Sequence, residues 1–92
     1  MYARARVLVE GSVQGVGFRN FVRSRANAQR VTGWVRNLDD GRVEAVFEGE
    51  KADIERLIEI CKRGSVFARV KDIRVLWEDE FERFSSFSIK HD

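Results

Sequence analysis

The chain has 92 residues, a length that favours a single domain spanning residues 1–92. Its 17 basic and 15 acidic side chains give a formal net charge of +2, a mixed surface rather than the basic footprint of a nucleic-acid-binding domain. One cysteine excludes an internal disulfide, and the absence of an apolar run of membrane-spanning length or a signal-peptide pattern predicts a cytoplasmic protein.

The first predicted element is a strand over residues 3–9, in which small apolar residues alternate with larger residues, two of which are arginines. This period of two indicates a sheet that is covered on one face only. The two predicted faces are an inward set, Ala3, Ala5, Val7 and Val9, and an outward set, Arg4, Arg6, Leu8 and Glu10.

A glycine-rich segment joins this strand to a helix predicted over residues 19–29, and it reads Glu10-Gly11-Ser12-Val13-Gln14-Gly15-Val16-Gly17-Phe18-Arg19. The first N–H groups of a helix have no partner within it, and their partial positive charge favours an anion. Glycine permits the positive φ angles that turn successive amides towards one centre. Arg19 adds a planar cation suited to phosphate. The segment therefore predicts an anion-binding loop for a phosphoryl group.

Two other glycine motifs do not fit this segment. The mononucleotide P-loop needs one more residue than the stretch from Gly11 to Gly15 provides, and a Lys-Ser or Lys-Thr pair that is missing. The dinucleotide motif needs a third glycine at the position of Asn20. A tight turn that needs glycine for geometry alone remains an alternative. Arg19 in the first helical turn argues against it, because a cation there is disfavoured without an anion nearby.

The middle of the chain predicts a β-hairpin followed by a second helix. A strand over residues 31–37 precedes an Asp-Gly pair at 40–41, the strongest short hairpin signal. A second strand returns over residues 42–48, and Gly49 is expected to break it. Helical periodicity then extends over residues 51–62, with its apolar positions at Ile54, Leu57, Ile58 and Cys61.

The last third of the chain predicts two more strands. Gly64 is the expected C-terminal cap of the second helix. A β-prone stretch covers residues 66–77, and its alternation slips in a way that predicts a bulge near Asp72. An acidic loop at residues 78–82 precedes a short strand over residues 86–90.

The order β-α-β-β-α-β with a short fifth strand predicts an α+β, ferredoxin-like fold of the split β-α-β type. Two helices of this length cover one face of a mixed, mainly antiparallel sheet and close a single core.

Two motifs in this frame resemble the signatures of the acylphosphatase family. The segment Val13-Gln14-Gly15-Val16-Gly17-Phe18-Arg19 is similar to the first signature, and Gly33-Trp34-Val35-Arg36-Asn37-Leu38 followed by Asp40-Gly41 is similar to the second. The family's spacing between the arginine and the asparagine is also the one found here. The resemblance covers nearly the whole chain.

The resemblance implies an enzyme that hydrolyses the carboxyl-phosphate bond of acylphosphates to a carboxylate and inorganic phosphate, with no metal and no cofactor. It implies that Arg19 binds the phosphate and Asn37 orients the attacking water. The remaining phosphate oxygens would be held by the backbone amides of Gln14, Gly15, Val16, Gly17 and Phe18. The implied partners are a small-molecule acyl phosphate and inorganic phosphate, with no nucleic acid and no membrane, and the protein is expected to be a monomer.

Two positions depart from the family pattern. Gln29-Arg30 stands where the family usually has Leu-Gly, and Ser65 follows Gly64 where proline is usual. A non-glycine residue in a left-handed cap costs about 1 kcal/mol, so the first of these turns is expected to be rebuilt.

Other interpretations stay open for individual residues and for the whole chain. Phe18, Trp34 and Cys61 are predicted to be packing residues, and His91 a frayed terminal residue. Arg23, Arg25 and Arg30 read as a solvated helix face that also raises the local anion concentration. A phosphate-binding accessory module without turnover and an RNA-binding sheet are alternatives to the enzyme, although the central strands lack the stacking aromatic residues of RNA-binding sheets.

Overall fold

The computed structural model describes residues 1–91 and has the predicted ferredoxin-like α+β architecture. Two helices pack on one face of a five-stranded mixed sheet. The elements are β1 (Tyr2–Ser12), α1 (Phe18–Ala28), β2 (Thr32–Asn37), β3 (Val43–Glu50), α2 (Lys51–Arg63), β4 (Arg69–Glu78) and β5 (Phe87–Ile89). Neither helix in this part of the chain is long and apolar enough to cross a membrane.

The strand order β4-β1-β3-β2-β5 determines which loops are neighbours. β3 pairs antiparallel with both β1 and β2, so β1 and β2 run in the same direction on either side of it. Val43 of β3 pairs with Val9 of β1 and with Asn37 of β2. The glycine-rich loop after β1 and the residue that ends β2 therefore lie at the same edge of the sheet.

The core contains the residues that the sequence periodicity placed there. Ala5, Val7 and Val9 of β1 are fully or almost fully buried, as are the helical stripes. These stripes are Phe18, Val22 and Ala26 of α1 and Ile54, Leu57, Ile58 and Cys61 of α2. Burial raises the pKa of the Cys61 thiol to about 12, which makes this residue a packing group and not a nucleophile.

Two strand boundaries differ from the sequence prediction. The chain continues as a strand through Gly49, which pairs with Ala3, and α2 begins directly at Lys51. At the other end, β4 starts at Arg69 instead of residue 66, because a turn precedes it in which Ala68 N–H donates to the Ser65 carbonyl. The predicted bulge is confirmed: β1 and β4 change register between Glu10, which faces Asp72, and Gly11, which faces Val70.

The turn after α1 keeps its geometry without a glycine, which contradicts the expectation that it is rebuilt. Arg30 adopts a φ of 59°, in the left-handed region. Val31 N–H donates to the Ala26 carbonyl at 2.9 Å and Arg30 N–H to the Asn27 carbonyl at 3.2 Å. These bonds close the end of the helix and offset the cost of the left-handed arginine.

The uncovered face of the sheet carries a network of ion pairs. Arg4 binds Glu48 and Glu78 at 2.8 and 2.7 Å, and Arg6 binds Glu44 and Glu78 at 2.8 and 3.0 Å. The guanidinium groups of β1 are thus engaged by carboxylates and not available for a phosphate backbone. This face does not fit the RNA-binding alternative.

Glu48 is the fully buried centre of this network. Its carboxylate accepts hydrogen bonds from Arg4 Nη1, the Tyr2 hydroxyl, and the N–H groups of Glu82 and Arg83. Burial by itself raises the pKa of the Glu48 carboxyl, but the bonds from Glu82, Arg4 and Arg83 outweigh it and hold that pKa below its usual value. The network therefore attaches the loop after β4 to the sheet most strongly when Glu48 is ionised.

We expect Glu48→Gln to lower the free energy of unfolding at neutral pH by about 2–4 kcal/mol, because the amide NH₂ would replace one of two carboxylate oxygens that each accept from a backbone N–H and a side-chain donor. A depressed folded-state pKa stabilises the protein above the unfolded pKa and loses that effect as pH falls through the folded value. The wild type should therefore lose stability below about pH 4.5, and the variant should lose less. Urea unfolding at pH 7 and pH 3 measures both effects.

Glu59→Gln is the matched control for this change, since Glu59 forms an exposed pair with Lys62. Its effect on unfolding should stay within about 0.5 kcal/mol at both pH values. Equal acid sensitivity in wild type and Glu48→Gln would contradict the assigned role of Glu48.

Candidate active site

The loop between β1 and α1 uses two glycines in left-handed backbone conformations. Gly15 has a φ of 74°, and Gly17, which caps α1, has a φ of 77°. A Cβ atom at either position would meet no neighbour within 4 Å. The glycines are therefore needed for their backbone angles and not for space.

The N–H groups of this loop have no acceptor within the described residues 1–91. The first helical bond is donated by Phe21 to the Gly17 carbonyl, at 3.0 Å. Within residues 1–91, no N–H group from Gln14 to Asn20 donates to a backbone or side-chain acceptor. The first turn of α1 contains no acidic residue that would compensate the positive end of the helix. These donors are therefore available to an external anion.

Arg19 lies beside these donors in a cavity of about 360 Å³. Arg19 is a half-buried residue, and its guanidinium has no ion pair and no hydrogen bond with any other residue of the described chain. Among residues 1–91, no carboxylate lines the cavity, whose described wall consists of Val13, Gly15, Gly17, Phe18, Arg19, Asn20, Arg23, Ile89 and His91. The cavity is therefore electropositive and open to an anionic ligand.

Asn37 ends β2 at the same edge of the sheet. Its Oδ1 atom is buried and has no hydrogen-bond partner among residues 1–91. A buried acceptor without a partner costs about 1–3 kcal/mol, so such a group is usually completed by water or a ligand. Asn37 is not among the residues that line the cavity of Arg19.

The side chain of Gln14 connects the two parts of the site. Its Nε2 donates to the carbonyl of Leu38 at 2.7 Å and to the carbonyl of Arg42 at 2.9 Å. Leu38 and Arg42 close the hairpin that follows Asn37, with Leu38 N–H donating to the Arg42 carbonyl. The glycine-rich loop is thereby attached to the turn next to Asn37.

The structure thus brings together most of the predicted site residues. Gly15, Gly17, Phe18 and Arg19 line one cavity, whereas Gln14 and Val16 belong to the loop without lining it. Phe18 and Trp34 are buried, as predicted for packing residues.

Sequence reasoning missed three features of this region. It treated Gln14 only as a source of a backbone amide, and its crosslink depends on a tertiary contact that no pattern reveals. It placed Arg23 only on a solvated helix face that raises the local anion concentration, whereas Arg23 lines the cavity; its position one helical turn after Arg19 is a spacing that predicts this shared face. His91 lines the cavity, contrary to the expectation of a frayed end, because Lys90 N–H donates to the Val35 carbonyl and holds the last strand in place.

The same residues offer no obvious metal site. In the part of the chain that the structure describes, no group of three or more His, Cys, Asp or Glu side chains could hold a metal ion. Positive charge at the cavity comes from arginine and from the end of α1.

Known proteins match this architecture over its full extent. The crystal structure of acylphosphatase from Bacillus subtilis is 43% identical with a TM-score of 0.94, covering 99% of this chain and 100% of that one. The acylphosphatase of Haloarcula marismortui is 58% identical over 78 residues, which are 85% of this chain and 86% of the relative. The crystal structure of HypF from T. kodakarensis is 36% identical with a TM-score of 0.84, and the match covers 98% of this chain but 12% of that protein.

These similarities define the protein as a small hydrolytic enzyme with a ferredoxin-like fold. The acylphosphatase family model matches residues 5–89, and the chain belongs to that family. Its activity is the hydrolysis of acylphosphates to a carboxylate and inorganic phosphate.

Proposed function

We propose that this acylphosphatase works without a metal ion. In this mechanism the N–H groups of Gln14, Gly15, Val16, Gly17 and Phe18, together with the Arg19 guanidinium, hold the phosphoryl group. Asn37 orients the attacking water. The observation that carries the proposal is that Gly15, Gly17, Phe18 and Arg19 line one cavity, and that neither the loop N–H groups nor the Arg19 guanidinium has a partner within residues 1–91.

The hydrolysis of an acylphosphate requires little of the protein beyond positioning of the reactants and stabilisation of charge. The carboxylate is a good leaving group, so the departing oxygen needs no strong general acid. Water attacks phosphorus, the bond between phosphorus and the carboxylate oxygen breaks, and the bonding electrons leave with the carboxylate. Fixed donors around the phosphoryl oxygens stabilise the charge that shifts during this displacement.

Asn37 suits the water because its amide does not titrate. The unpartnered Oδ1 accepts a hydrogen bond from water, and this leaves a water lone pair free to face phosphorus. A phosphoryl oxygen of the substrate accepts the proton that the water releases. This assignment needs no histidine or carboxylate at the reacting centre.

The proposal extends to the domain organisation, cellular location, oligomeric state and partners of the protein. We propose a single domain over residues 1–92 that acts in the cytoplasm as a monomer, without nucleic-acid or membrane partners. The uncovered sheet face supports this view, because its charged side chains pair with one another.

The test is turnover of acetyl phosphate in excess chelator. We expect kcat/KM to be unchanged by EDTA, and inorganic phosphate to inhibit competitively because the product occupies the same donors. Activity that disappears with EDTA and returns with added Mg²⁺ would contradict a metal-free mechanism.

A further inference from the structure

The cavity of Arg19 contains a second arginine that the proposed mechanism does not use. Arg23 lies four residues after Arg19 in α1, so the two side chains emerge from the same helix face about 6 Å apart along the axis. Both line the cavity. Arg23 Nη2 donates to Asn20 Oδ1 at 3.2 Å, a bond that directs the guanidinium along this face.

This pair of cations opposes helix stability. Two like charges at this spacing repel each other, and Arg19 lies in the first turn of the helix, where the dipole disfavours cations. Arg23 has no carboxylate partner among residues 1–91. The arrangement becomes favourable when anions occupy both positions.

The cavity is larger than one phosphoryl group requires. A volume of about 360 Å³ corresponds to roughly a dozen waters at about 30 Å³ each, and it falls in the range of small-molecule sites. Ile89 contributes an apolar side chain to its wall. His91, two residues further along the chain, adds a ring that can donate a hydrogen bond.

We propose that Arg23 and His91 form a second anion subsite, which selects acylphosphates whose acyl chain ends in a carboxylate. The subsite rests on the proposed function, since it requires the phosphoryl group to be held at Arg19. The acyl chain then runs past Ile89, and its terminal carboxylate meets Arg23 and His91.

The test compares two substrates of equal length, succinyl phosphate and butanoyl phosphate, which differ in a terminal carboxylate or methyl group. Rates are corrected for spontaneous hydrolysis. We expect the wild type to have the higher kcat/KM for succinyl phosphate. Arg23→Gln should reduce the ratio of the two kcat/KM values about fivefold, mainly through the KM for succinyl phosphate, and His91→Ala should reduce it by a smaller factor.

Arg25→Gln is the matched control, because it removes the same charge from the same helix but does not line this cavity. The ratio of the kcat/KM values for the two substrates should stay at the wild-type value in Arg25→Gln. Circular dichroism and thermal unfolding establish that each variant is folded. A ratio that changes equally in Arg23→Gln and Arg25→Gln, or in neither, would overturn the subsite.

Arg19→Ala separates this inference from the mechanism on which it rests. If Arg19→Ala hydrolyses both substrates as fast as the wild type, the proposed phosphoryl site is wrong. If Arg19→Ala is inactive and Arg23→Gln leaves the ratio unchanged, the mechanism stands and the subsite fails.

Discussion

Arg19→Ala is expected to lower kcat/KM for acetyl phosphate by about 10³, the scale on which a lost arginine or preorganised donor slows such reactions. The guanidinium is the one charged side chain assigned to the phosphoryl group. It has no other partner in the described chain, so its removal breaks no ion pair. Initial rates over a range of substrate concentrations measure the loss.

The same substitution should not weaken the fold. A cation in the first turn of α1 opposes the helix dipole, and its removal should change the free energy of unfolding by about +0.3 to +1 kcal/mol in favour of the folded state. Urea unfolding measures this change. A large activity loss without a stability loss distinguishes a binding residue from a structural one.

Arg19→Lys tests the shape of the group. It keeps the charge but loses the planar fork that contacts two phosphate oxygens, so we expect a loss of about 10- to 100-fold. Arg25→Ala, on the same helix and outside the cavity, should stay within about twofold. An Arg19→Ala enzyme that keeps a tenth or more of its activity would contradict the role of Arg19.

The fold could be predicted wherever local chemistry and tertiary packing agree. The alternation of β1 and the apolar stripe of α2 both correspond to buried faces, and Gly64 ends α2 with a φ of 74°. The prediction failed at two strand boundaries. Gly49 stays in β3 because β1 pairs with it. β4 starts late because residues 65–68 form a turn, closed by the Ala68 N–H bond to the Ser65 carbonyl, in which Val66 and Phe67 are 91% and 77% exposed.

The features of the site also differ in whether they are local in the sequence or depend on tertiary contacts. The glycine spacing and Arg19 are local, so the sequence alone could predict the loop as an anion site. The unpartnered Oδ1 of Asn37 and the crosslink from Gln14 depend on strand register and on a contact between segments 24 residues apart. No periodicity in one segment carries that information. The position of His91 depends on β5 pairing with β2.

Asn37→Ala is expected to lower kcat by about 10²–10³, with little change in KM, because the side chain is assigned to the water and not to the bound phosphate. Its buried Oδ1, which has no partner among residues 1–91, is a cost to the folded state. Removal of this atom should leave the free energy of unfolding unchanged or raise it by about 1 kcal/mol. Steady-state kinetics and urea unfolding of the same preparation test both expectations.

Two further variants locate the cause of that loss. Asn27→Ala replaces an exposed asparagine of α1 and should leave kcat within about twofold, since this side chain does not line the cavity. Asn37→Asp keeps an acceptor of the same size but adds a negative charge that repels the phosphoryl group, so it should raise KM as well. If Asn37→Ala raises KM and leaves kcat intact, Asn37 binds the substrate in its ground state and another group orients the water.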